Sequence, residues 1–89
     1  MMTESERRHQ DRILWASRRG MLELDLILEA YAKEAYPHAE AHEREAFQAL
    51  LSMEDQTLFD WLVKLKPADG VFSAIVEKVR MVKKQHYRL

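Results

Sequence analysis

The stretch that decides the fold is Arg18-Arg19-Gly20-Met21-Leu22-Glu23-Leu24-Asp25-Leu26-Ile27-Leu28-Glu29-Ala30-Tyr31-Ala32-Lys33-Glu34-Ala35-Tyr36-Pro37, one helix written between two breakers. Leu24, Ile27, Leu28, Tyr31 and Ala35 recur at spacings of three and four and draw a single apolar stripe, which predicts a helix over 21–36. Pro37 stops it. At the other end, Gly20 after two arginines reads as the C-terminus of a preceding helix over 6–19, because glycine accepts the left-handed conformation and arginine complements the negative end of the helix dipole. That first helix can turn Ile13, Leu14 and Ala16 toward a core, and Ser5 offers it only a weak cap.

Working outward, a third helix from about residue 40 aligns Ala46, Phe47, Leu50 and Leu51. A fourth begins at Asp55, whose carboxylate can cap the first turn, and aligns Leu58, Leu62 and Leu65. Lys66-Pro67-Ala68-Asp69-Gly70 is a loop. A fifth helix rows Val71, Ile75, Val79 and Val82 with Phe72 beside them, ahead of a basic tail from about residue 83 that is expected to fray. The expectation is an all-α fold, a compact bundle of five short helices in a single domain over 1–89.

Composition agrees. With 47% apolar and 33% charged residues the chain is too hydrophobic for disorder, and two glycines and two prolines are too few for a many-stranded sandwich. No cysteine is present, which excludes a disulfide scaffold and a thiolate metal site. The net charge of -1 conceals a segregation: residues 1–20 carry five basic and three acidic side chains, 21–70 four and eleven, and 71–89 five and one. An acidic centre between basic ends suits docking to a protein more than to nucleic acid, whose phosphates the centre repels. No apolar run reaches the length of a membrane span. The acidic start, Met-Met-Thr-Glu-Ser-Glu, resembles neither a secretory signal nor a transit peptide, so the bacterial cytoplasm is the expected compartment.

Candidate chemistry is sparse. His38 and His42 stand four apart with Glu43 adjacent, but a zinc site needs a further ligand and solvated surface histidines are the simpler account, so no metal site is assigned. His9 and His86 lack an orienting partner in the sequence, and no catalytic residue is assigned. Trp61 lies beside Leu58, Leu62 and Leu65 and serves either the core or, as the alternative, a partner as a surface anchor. The densest segment runs from Arg18 through Asp25. Glu23 and Asp25 sit where an anion would bind, which disfavours a phosphate loop. Helix-end punctuation would explain its charges, but it also forms a docking corner: glycine admits close approach, the guanidinium of Arg19 offers a planar fork, and Glu23 can accept a cation or donor. The residues assigned to partner binding are Arg18, Arg19, Gly20, Met21, Glu23, Asp25 and Trp61.

Trp15-Ala16-Ser17-Arg18-Arg19-Gly20-Met21-Leu22-Glu23-Leu24-Asp25, followed by Leu50-Leu51, Asp55, Leu58-Phe59-Asp60-Trp61-Leu62 and Lys66-Pro67-Ala68-Asp69, resembles the SdhE family, small factors that promote covalent attachment of FAD to the succinate dehydrogenase flavoprotein. The resemblance spans roughly residues 12 to 80, and the family's RGxxE motif falls on Arg19, Gly20 and Glu23. Ala39-Glu40 departs from the Leu-Ser common in the family before the third helix, removing an apolar staple and a hydroxyl cap. The resemblance implies a five-helix bundle that binds the flavoprotein subunit of succinate dehydrogenase, with that of fumarate reductase as a second candidate. It implies no enzyme. The linkage forms between the flavin's methyl carbon and a histidine, both held by the flavoprotein, so the small factor contributes preorganisation. Neither stably bound FAD, nor nucleic acid, nor membrane insertion is expected, and the free protein is expected to be monomeric. A generic helical adaptor or an antitoxin-like regulator is the competing class.

Overall fold

The computed structural model describes residues 2–86, the side chains of 83–86 excepted. Its first helix, α1 (Glu4–Ala16), starts on a capping box and not on Ser5. The Thr3 hydroxyl accepts the Glu6 amide at 3.1 Å while the Glu6 carboxylate accepts the Thr3 amide at 3.2 Å, so two otherwise orphaned donors are satisfied reciprocally. The same bonds hold the Glu6 carboxyl below the ordinary carboxylate range. α1 also ends earlier than the glycine suggests. Ser17 caps it, buried, with its hydroxyl donating to the Ile13 carbonyl at 2.8 Å. Arg18 and Arg19 therefore stand beyond the last turn. Of the three α1 residues expected to face the core, Ile13 is buried, Leu14 is partly buried and Ala16 is exposed.

α2 (Leu22–Glu34) is the central element, packed against α1, α4 and α5. Leu24, Ile27, Leu28 and Tyr31 are buried along the expected stripe, while Ala35 lies past the helix end and is partly buried. A 3-10 turn over Tyr36–His38 follows, with Pro37 inside it, and Tyr36 is fully buried. The Tyr36 hydroxyl accepts from Gln48 Nε2 at 2.8 Å and pairs with His9 Nε2 at 2.7 Å. Such a buried phenol needs these partners.

α3 (Ala41–Leu51) buries Phe47, Leu50 and Leu51. Glu40 occupies its cap position without a side-chain bond, as the loss of a hydroxyl there implies. α4 (Asp55–Leu62) buries Leu58, Trp61 and Leu62, and its cap position is Glu54, also without a side-chain bond. Asp55 turns toward Arg19 at 3.4 Å instead of capping its own helix. Leu65 falls off the apolar face: it lies past the helix end, 59% exposed, with φ of 58°. The carbonyls left at that end are served by Arg80 from α5 (Ser73–His86), which donates to Trp61 O at 2.9 and 2.5 Å and to Lys66 O at 2.7 Å.

Ile75, Val76 and Val79 carry the core side of α5. Val71 does not join them. It sits in a 3-10 turn over Gly70–Phe72 and is 88% exposed, while Phe72 packs on Trp61 with ring centres 5.5 Å apart. One apolar cluster takes residues from all five helices, and no strand occurs among the described residues. The basic tail beyond Val82 lies outside the described side chains.

Candidate functional site

Between the end of α1 and the start of α2 the backbone makes an exposed corner at residues 18–21. Gly20 has φ of +81°, the left-handed region that glycine enters without the steric cost an L side chain meets. A Cβ built on Gly20 would meet no atom within 4 Å, so the glycine answers to the backbone conformation and not to internal crowding. Asp25, one turn into α2, holds the corner in shape: its two carboxylate oxygens accept the Arg19 amide at 2.6 Å and the Gly20 amide at 3.2 Å. Successive amides converging on one anion form a small anion-binding concavity, and here Asp25 fills it.

Arg19 runs the opposite way from the expectation of a fork offered to a partner. Its side chain is 15% exposed, donates to the Leu51 carbonyl, reaches the Met53 carbonyl at 3.5 Å and pairs with Asp55 at 3.4 Å. The guanidinium ties the corner to the α3–α4 junction, and its Nε is buried without an acceptor. The residues that face outward are Arg18, Gly20 and Glu23, with Met21 partly covered. Trp61 is not part of this surface: at 6% exposure it belongs to the core, so of its two readings the structure places it in the buried one.

The corner has neighbours that periodicity did not single out. Trp15 is 75% exposed with the Arg18 guanidinium 5.9 Å from its ring centre, and Leu22 and Leu26 are 77% and 44% exposed. A shallow groove of about 270 Å³ lies beside them, lined by Asp11, Leu14, Trp15, Arg18, Glu29 and Lys33. The signal for the leucines was present: Leu22 and Leu26 fall between the positions of the buried stripe, so they are apolar residues on the polar side of α2. Exposed aromatic and aliphatic side chains next to a charged, glycine-bearing corner are suited to protein contact. They offer no acid–base pair. His42 is exposed and pairs with Glu40 at 3.5 Å, and no group of three potential metal ligands occurs among the described residues.

Residues 11–83 match the family model described as flavinator of succinate dehydrogenase. The chain belongs to this family. It is similar to the FAD assembly factor SdhE of Pseudomonas savastanoi pv. phaseolicola, 39% identical over 81% of this chain and 83% of the relative. The same named factor of Methylococcus capsulatus is 43% identical over 78% and 84%, and that of Psychrobacter arcticus 42% over 80% and 77%. No solved structure matches. The relatives are named as assembly factors and not as enzymes, and the matched segment of the flavinator family contains the whole corner from Trp15 to Asp25. No described helix is long and apolar enough to cross a membrane.

Proposed function

We propose that this protein binds the flavoprotein subunit of succinate dehydrogenase and promotes its covalent attachment of FAD, docking through the corner of Arg18, Arg19, Gly20, Met21, Glu23 and Asp25. The observation that carries the reading is the flavinator match across residues 11–83, in which the Arg19-Gly20-Met21-Leu22-Glu23 motif spans the corner between α1 and α2, with open space at Gly20. A surface of this kind can hold a partner in the conformation that brings a histidine and the flavin methyl carbon into near-attack geometry. The reaction then needs no nucleophile from this chain.

FAD is held by the flavoprotein, and this protein binds the free cofactor weakly or not at all: it lacks a glycine-rich dinucleotide loop, and Asp25 already occupies the amides of Arg19 and Gly20. The fumarate reductase flavoprotein is a second target of the same chemistry, and the free factor is a cytoplasmic monomer. Co-expression of the flavoprotein with and without this chain, read by in-gel fluorescence of covalently bound flavin, tests the proposal. Equal fluorescence in both would refute it, and a stoichiometric complex with free FAD in calorimetry would make the protein a flavin carrier instead.

A further inference from the structure

The members of the motif Arg19-Gly20-x-x-Glu23 differ in direction: Arg19 turns inward while Gly20 and Glu23 are exposed. We infer that Arg19 and the neighbouring Asp25 are positioning residues, which set the shape of the corner from within while Gly20 and Glu23 carry the contact with the flavoprotein. This rests on the reading that the corner is the docking site. Two successive amides can reach one carboxylate only when the chain turns between them, and the Asp25 contacts at 2.6 and 3.2 Å coincide with the left-handed φ of +81° at Gly20. Glycine without such a restraint samples both signs of φ and loses more freedom than any other residue on being fixed. Asp25 supplies the restraint, so the ordering cost is met before the partner arrives.

Arg19 sets the second coordinate, the placement of the turn on the body of the protein. Its guanidinium is occupied by Leu51 O, Met53 O and Asp55, all at the α3–α4 junction. With both terminal nitrogens on acceptors of its own chain and Nε buried, this guanidinium is not available to a partner's carboxylate. Glu23, by contrast, is exposed in the first turn of α2, and the described residues give it no salt bridge.

The test compares Asp25→Asn with two other variants, using the flavoprotein subunit of succinate dehydrogenase as the binding partner. Asparagine keeps the size and one acceptor oxygen but loses the charge and the second acceptor. The expected result is hydrogen exchange at the Gly20 amide about tenfold faster and flavoprotein affinity about tenfold weaker, with unchanged far-UV circular dichroism. Thr3→Ala, at the opposite end of α1, costs stability through a lost cap and leaves binding unchanged, which separates positioning from general destabilisation. Glu23→Ala weakens binding while Gly20 exchange stays as in the parent.

Asp25→Asn with normal affinity, or with a normally protected Gly20 amide, overturns the positioning role. If Glu23→Ala also binds normally, the docking reading itself has failed. Should Asp25→Asn not fold, Arg19→Lys serves: it keeps the charge near Asp55 but cannot span both carbonyls, and normal flavoprotein affinity there overturns the inference.

Discussion

Gly20 shows how one residue separates backbone need from surface need. Its φ of +81° asks an L side chain for about 1 kcal/mol or somewhat more, but a Cβ meets nothing inside the molecule. Gly20→Arg should therefore keep its helical circular dichroism and lose co-purification with the flavoprotein. Joint loss of helicity and binding would show that the glycine is structural punctuation alone. Leu65 poses the converse case, a β-unbranched but bulky residue in the left-handed region at φ of 58°, 59% exposed. Leu65→Gly relieves that strain, partly offset by the greater freedom of the unfolded chain, and should stabilise by about 0.5 kcal/mol in urea denaturation. Gly20 was legible in the sequence because glycine announces its own conformation. Leu65 was not, since the apolar spacing of α4 placed it on the core face and only the observed helix end at Leu62 removes it.

At the scale of elements, α2, α3 and α5 are tied by one carboxylate. Glu43 on α3 accepts the Tyr31 hydroxyl of α2 at 2.5 Å and the Lys78 ammonium of α5 at 2.6 Å. The Lys78 bond, then the Tyr31 bond, hold the Glu43 carboxyl below its ordinary 4.5, while Glu43 raises Lys78. Burial, then the bond to Glu43, push the Tyr31 phenol well above its ordinary 10.0. The signs fix the pH dependence. Glu43 contributes stability that is present above pH 4.5 and is lost as pH falls through its lowered folded value. Tyr31 contributes stability that is full below pH 10.0 and is lost as pH rises above it, because the unfolded phenol ionises first. Urea midpoints measured across pH should fall at both ends, and Glu43→Gln should lower the plateau and flatten the acid limb. An acid limb unchanged in Glu43→Gln would assign it to other carboxylates. The helices themselves were legible from periodicity, whereas this tie was not: nothing in the spacing of residues 31, 43 and 78 says that three faces meet.

At the scale of the whole molecule, the proposed docking predicts separable contributions from the charge segregation and from the corner. Charges central to a docked patch lose water and must find partners, so removing one costs about 2 to 5 kcal/mol, while peripheral charges act on encounter rate and are screened by salt. Glu23→Ala should impair flavinylation at saturating factor, and Lys83→Ala with Lys84→Ala should leave it near normal under the same conditions. A defective tail variant with a normal Glu23→Ala would move the working surface to the tail.

Arg19→Ala should also impair flavinylation, through displacement of the corner from the α3–α4 junction. What the amino-acid sequence determined by itself was local: five helices, the buried stripe of α2, and the residue types at the corner. These follow from a 3.6-residue period, from breakers and from glycine, all of which act within a few positions. What only the tertiary structure decided was direction. Arg19 turns inward because an acceptor carbonyl 32 residues away, at Leu51, lies within reach once α3 and α4 have packed. Asp25 is drawn to the backbone of the turn, Trp61 is closed over by Phe72, and Trp15 is left in solvent. A side chain's partner across the fold depends on which faces meet, and that is settled by the packing of the whole apolar cluster.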